Sequence, residues 1–206
     1  YARNKLSEAD RLVSEGLELA QRGSIYNAIY HGLRLLTRVQ LARRDYSGAQ
    51  DTAAKFIQYA RASQMPQHVR WATTLQALVS LRSGNLAAVA HWAHTNPPRP
   101  DALYFTDKLA SILYIRYLLA QGKPDELLEY AEVFGNHLQV RGHNEMLIDL
   151  LLMKACAWLA KGDSDTGSEQ LDAALTLAAP AGFVRVFVDG GQPIAALLAQ
   201  RRQADK

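Results

Sequence analysis

The chain has 206 residues, 22.8 kDa, with 49% hydrophobic and 21% charged residues, enough to bury a continuous core and too ordinary in composition for disorder. Its net charge of +3 is mild and reads as spread along the chain, which gives no argument for nucleic acid. Cys156 is the single cysteine, which excludes an intramolecular disulfide and fits a reducing, cytoplasmic setting.

The opening Tyr-Ala-Arg-Asn-Lys has no apolar stretch behind it, so no secretory signal is expected, and a start at Tyr1 without Met suggests a piece of something longer. No run approaches the roughly eighteen apolar residues of a membrane span. Apolar residues instead recur at three and four, as in Ile29, Leu33, Leu36 and Val39, or Leu127, Ala131, Phe134 and Leu138. The spacing predicts helices over Glu8–Arg22, Ile25–Arg43, Tyr46–Ala62, Pro66–Ser83, Leu86–Thr95, Ala102–Gln121, Pro124–Val140, Glu145–Lys161, Ser164–Ala179 and Pro193–Arg201. Each proline falls where a helix is expected to begin or end. Ser7 with Asp10 approximates a capping box, Asp101 and Asn144 are expected to cap the helices after them, and Pro124-Asp125-Glu126 suits a first turn. Phe183–Val188 has strand composition, but a lone strand would leave its backbone groups without partners, so a turn or short helix is expected.

The turns repeat. Leu119-Ala-Gln-Gly122 and Leu159-Ala-Lys-Gly162 match closely, Leu81-Arg-Ser-Gly84 is similar, and Leu41-Ala-Arg-Arg44 is an earlier counterpart without the glycine. A period of about forty residues holding two helices belongs to the solenoid class. Ala49, Ala88 or Ala90, and Gly167 are the small residues expected where paired helices approach closely. The fold class expected is all-α: a right-handed, crescent-shaped solenoid of about five antiparallel helix pairs, tetratricopeptide-like, over residues 1–200. Residues 201–206 form a polar tail or linker in this reading.

The segment from Ala181 to Gln200 carries a more specific signal. Gly182, Phe183, Val184, Arg185, Phe187, Asp189, Gly191, Pro193, Leu197 and Leu198 stand in an order that resembles the closing repeat of MalT-like, LuxR-family ATP-dependent transcription activators. That resemblance implies a cytoplasmic sensor region that binds a small-molecule inducer or a regulatory protein and promotes self-association. It also implies a nucleotide-binding module and a helix-turn-helix DNA reader elsewhere. This sequence contains no Gly-x-x-x-x-Gly-Lys-Ser/Thr and no basic recognition helix after Leu198, so no cofactor is expected in this stretch, with ATP confined to the other module and no DNA binding here.

In tetratricopeptide-like solenoids the first helix of each pair lines the concave face. The aligned positions read His31, Arg34 and Arg38, then Trp71, Thr74 and Arg82, then Ile112 and Arg116, then Asp149 and Cys156. Guanidinium forks grip carboxylate or phosphate bidentately and indole gives a flat apolar face, so an anionic or polyhydroxylated ligand would suit them. The plainer reading makes them solvated ridge residues, with Trp71 in the core between repeats. A constitutive scaffold holding a peptide in the groove is the rival function. Asp149 interrupts a run that is apolar apart from Lys154, so it either faces the groove or meets an arginine.

Other groups carry less. His91 and His94 at i, i+3, and His137, His143 and Glu145 around Gly142, form no complete metal set. Cys156 sits in an apolar context expected to leave it inert. Tyr104, Phe105, Tyr114 and Tyr117 share one helix and are expected to be mostly core. With no nucleophile–base arrangement or paired-carboxylate motif, no catalysis is expected.

Overall fold

The computed structural model describes residues 1–101, 105–139 and 143–204, and the side chains of all of these except 105, 106, 139, 203 and 204. Every regular element among them is helical: α1 (Leu6–Arg22), α2 (Tyr26–Ala42), α3 (Tyr46–Ala62), α4 (Pro66–Arg82), α5 (Leu86–Thr95), α6 (Phe105–Ala120), α7 (Pro124–Gln139), α8 (Asn144–Ala160), α9 (Ser164–Ala178), α10 (Arg185–Asp189) and α11 (Gln192–Ala204). Two compact units result. The first holds α1–α5, and the second holds α6–α11 with the N-terminal residues Ala2–Asn4.

Within each unit a helix packs on the next in sequence, except that α10 lies on α8 and α11 rather than on α9, and alternate helices also meet, α2 on α4 and α6 on α8. Sequence decides which helices lie inside. On α1 the buried residues Ala9, Val13, Leu17 and Ala20 form one stripe at helical spacing, leaving Leu12 and Leu19 exposed. On α8 buried residues run almost all round, from Ile148 through Leu150, Leu152, Met153, Ala155, Cys156 and Ala157. That helix is covered by α6, α7, α9, α10 and α11, so a one-sided pattern would leave polar groups buried.

A period half as long as the turn glycines suggest sets the architecture. Left-handed backbone recurs at Asn4, Ser24, Arg44, Gln64 and Gly84, with φ of 61°, 54°, 61°, 56° and 81°, then at Gly122, Gly162 and Gly182, with 67°, 85° and 65°. Through the first five, helix plus turn occupies twenty residues. The hydrogen bonds are those of a Schellman closure: the Arg44 N–H donates to the Leu41 carbonyl and Asp45 N–H to Gln40, and Gly162 and Asp163 repeat this onto Leu159 and Trp158. Three turns then feed directly into a side-chain cap, with Asp45, Asn85 and Asp163 accepting from the N–H of Gly48, Ala88 and Thr166.

Several local expectations change. Lys5, not Ser7, precedes α1, and Ser7 and Asp10 receive the Arg43 guanidinium instead, at 3.4 and 2.6 Å, because α1 begins two residues earlier than the capping-box pattern implies. Asn144 is the first residue of α8 rather than its cap, and His143, which precedes it, makes no side-chain cap bond. The expected helix start at Ala102, the end at Val140 and the capping of α6 by Asp101 involve residues outside those described. Forty residues after Ala49 the buried position is Val89, flanked by the half-buried Ala88 and Ala90, so a branched residue replaces the expected alanine. Gly167 does sit at a close approach, where an added Cβ would lie 3.1 Å from Leu159 Cγ. Phe183–Val188 resolves into the short helix α10, and the polar tail is helical through Ala204, with Arg201 Nε 3.1 Å from Asp172 Oδ1.

Candidate functional site

In the first unit the forty-residue repeat sets α2 and α4 in step. His31 and Trp71, forty positions apart, meet edge to face with ring centroids 4.9 Å apart. Continuing that register places Arg34 level with Thr74, and Arg38 level with Leu78. His31, Arg34 and Arg38 follow at i, i+3 and i+7 and therefore share one stripe of α2. Trp71 and Arg82, eleven residues apart, share a stripe of α4 by the same periodicity.

Surroundings differ along these stripes. Trp71 is buried, with its other side against Phe56 at 5.5 Å, so most of its indole belongs to the core. The Thr74 hydroxyl is buried too and donates to the Arg70 carbonyl at 2.8 Å. His31 is exposed, whereas Arg34, Arg38 and Arg82 are half-buried, their stems on the helix surface. The Arg38 guanidinium stands over the Tyr1 ring, 4.5 Å from its centroid. Partial burial first, and the Arg34 charge second, hold His31 below its ordinary value.

The second unit gathers a different arrangement. Arg116 on α6 donates from Nη2 to Asp149 Oδ1 on α8 at 2.7 Å, and from Nη1 to the Asp189 carbonyl on α10 at 3.3 Å. Asp149, the anomaly in an apolar run, thus meets an arginine. Asp189 in turn takes Arg185 Nε and Nη2 on one carboxylate oxygen, at 2.8 and 2.7 Å. Arg185 continues outward to Asn4 Oδ1 at 3.0 Å, while the Ala2 carbonyl accepts the N–H groups of Val184 and Arg185 at 3.0 and 2.9 Å. Cys156, one forty-residue step from Arg116, is buried, and that burial raises its thiol to about 11 despite the opposing pull of the Arg116 charge.

Three buried polar residues of α6 escaped the sequence reading. Asp107, Lys108 and Ser111 are buried, and Ser111 Oγ lies 2.9 Å from the Tyr130 hydroxyl, whose own burial raises it above the ordinary tyrosine value. Helical spacing alone places no polar side chain against a partner nineteen residues away. Tyr114 and Tyr117 are half-buried, with ring centroids 6.3 Å apart, whereas Tyr104 and the Phe105 side chain lie outside the described residues. His91 and His94 are exposed, His137, His143 and Glu145 are half-buried, and Gly142 lies outside the described residues. Among the described residues no three His, Cys, Asp or Glu side chains converge as metal ligands.

Residues 1–204 match the family described as the MalT-like TPR region. The chain belongs to this family. No individually curated protein matches it significantly. The closing motif of this MalT-like TPR region now has a physical reading. Gly182 and Gly191, at φ of 65° and 69°, bracket α10 in backbone that other residues resist. Between them Arg185 and Asp189 pair one helical turn apart, and a Cβ at Gly190 would collide with Ile194, which is fully buried. The motif is a buried clamp that fastens α10 to α6 and α8.

Proposed function

We propose that this MalT-like TPR region is the effector-binding and self-association part of a bacterial transcription activator, coupling inducer binding to activation. The family match across residues 1–204 carries the reading. The arginines on successive first helices support it: Arg34, Arg38 and Arg82 in the first unit, and Arg116 beside Asp149 in the second. His31, Trp71 and Thr74 complete the candidate contact set. An effector acts by preferring one of two packings, and it shifts their populations by no more than its difference in affinity for them. A network such as Asp149–Arg116–Asp189–Arg185 is a suitable element for two discrete arrangements, since its charge-assisted bonds are directional.

The proposal assigns the region no catalysis, cofactor or DNA contact. Its test is a thermal-shift screen against sugars, organic acids and aromatic metabolites, followed by calorimetry and a transcription assay with the intact regulator. For a ligand held by Arg34, Arg34→Ala is expected to keep the fold and lose about 1.5–3 kcal/mol of binding, about ten- to over a hundredfold. Equal affinities for wild type and for Arg34→Ala and Arg38→Ala would remove the first unit's arginines from the effector site, and an equal affinity for Arg116→Ala would separately remove that of the second.

A further inference from the structure

Five glycines lie inside helices among the described residues, and four of them have a reason within the chain. A Cβ at Gly32, Gly48, Gly135 or Gly167 would crowd the side chain of Leu17, Asp45, Leu150 or Leu159 respectively. Gly16, in the middle of α1, would meet nothing within 4 Å. A glycine there weakens the helix relative to alanine through backbone entropy, and nothing inside the chain offsets that cost. Its neighbours on the helix surface are equally unexplained. Leu12, four residues before it, is 52% exposed, and Leu19, three residues after it, is 62% exposed. The three share one stripe. Among the described residues α1 packs substantially on α2 alone, and the Leu12–Gly16–Leu19 stripe stands apart from its buried residues Ala9, Val13, Leu17 and Ala20.

Charge orders the same stripe. Glu8 lies one turn before Leu12, and Arg22 one turn after Leu19. Between them Glu15 is held by Arg11 at 2.9 Å, while Glu8 meets Lys5 at 3.7 Å with both side chains in the open. Glu8 and Arg22 suit the two ends of the helix dipole, which explains their charges but neither the leucines nor the glycine. Reversing the helix about its midpoint sets Glu8 against Arg22 and Leu12 against Leu19, and brings the two Gly16 residues together at the crossing. A parallel alignment would instead set Glu8 on Glu8 and Arg22 on Arg22. The stripe is therefore complementary to itself in the antiparallel sense. The first unit as a whole carries eleven lysines and arginines against six aspartates and glutamates, a net of +5, with four of the six acids on α1. Two such units repel broadly, and α1 is the surface on which they approach at least electrostatic cost.

We propose that α1 is a self-association surface that pairs antiparallel with α1 of a second copy across a two-fold axis, with Gly16 at the crossing and Leu12 of each copy against Leu19 of the other. This rests on the self-association part of the reading above and names its surface and its partner. A two-fold contact uses one patch twice, so a self-complementary stripe closes into a dimer rather than growing into a chain. Glycine at the crossing lets the two backbones approach closely enough for the leucines on either side to interdigitate. One helix face is small for a protein interface, which makes the dimer a transient one that fills at high local concentration.

The test is sedimentation velocity on the whole chain across a wide range of concentration, where a monomer–dimer equilibrium is expected. Leu12→Gln/Leu19→Gln is expected to weaken dimerisation at least about tenfold. Val133→Gln, which alters an exposed apolar residue of α7, is expected to leave it unchanged. Gly16→Gln separates the interface from the helix itself. In dilute solution it is expected to raise the melting temperature, since it removes a mid-helix glycine, while it weakens dimerisation at least about tenfold. Charge tests the direction of pairing. Glu8→Arg and Arg22→Glu are each expected to weaken the dimer, and Glu8→Arg/Arg22→Glu together to restore it. Circular dichroism shows whether each variant is folded. A chain that stays monomeric at every concentration overturns the inference and the self-association half of the reading together. Dimerisation unaffected by Leu12→Gln/Leu19→Gln or by Gly16→Gln, or a charge swap that fails to restore it, overturns the α1 surface and leaves that reading standing.

Discussion

Arg185 and Asp189 are the residues on which the closing motif depends, and their burial sets the energetic stakes. Their side chains are 7% and 12% exposed, so removing one partner strands a charge in an apolar surround. Arg185→Ala is expected to destabilise the fold by about 3 kcal/mol, measured by urea unfolding. Loss of under about 1 kcal/mol would show that water reaches the Asp189 carboxylate. Arg116 and Asp149 are each 14% exposed, so the same logic applies more weakly. The paired change Arg116→Met/Asp149→Leu is expected to cost less than either single truncation, because it removes both charges together. Part of this was legible. Asp149 was conspicuous in its apolar run, but Arg116 stands 33 residues away, and one-dimensional spacing says nothing about that partner. Arg185 and Asp189 read as a pair only once the segment is helical, and its Val-Phe-Val composition argued against that.

At the scale of the helix the twenty-residue unit was only half visible. Gly84, Gly122 and Gly162 marked three turns, but Ser24, Arg44 and Gln64 take the same left-handed backbone without glycine. Composition cannot report a conformation that the wrong residue type adopts. Helix existence, by contrast, was legible throughout, with α3 and α5 bounded as expected and most other ends within one or two residues, because each apolar stripe spans several turns. The strained turns yield a paired prediction. Gln64→Gly is expected to stabilise the fold by about 0.5–1 kcal/mol, and Gly84→Ala to destabilise it by about 1 kcal/mol or more. Both are read from denaturant midpoints at unchanged slope. No stabilisation by Gln64→Gly together with no loss from Gly84→Ala would mean that the turns relax without cost, and that the caps at Asn85 and its counterparts set the register instead.

At the scale of the whole molecule, charge and family reading bear on one last expectation. The sequence showed a net of +3 with basic residues at wide intervals, and only the assignment of helices to two units revealed how they accumulate on the first. A unit of net +5 attracts polyanions regardless of function, so nucleotide and DNA retention at low salt carry little information about this region. What separates a nucleotide-binding module from a basic surface is geometry around the phosphates. A P-loop wraps them in backbone N–H groups, and its lysine and hydroxyl complete the site with magnesium. This chain has no such sequence, and its one Gly-Lys pair, Gly122-Lys123, leads straight into Pro124 at the start of α7. A basic unit of net +5, in contrast, would attract ATP as it attracts any polyanion, and magnesium would weaken that attraction by neutralising the oxygens. ATP association with the isolated chain is therefore expected to fall when magnesium is added, to fade as salt rises, and to be accompanied by no hydrolysis. Calorimetry with and without magnesium, together with a phosphate-release assay, checks all three. Tighter binding with magnesium, or turnover above the buffer rate, would require a nucleotide site that a diffuse basic field cannot provide.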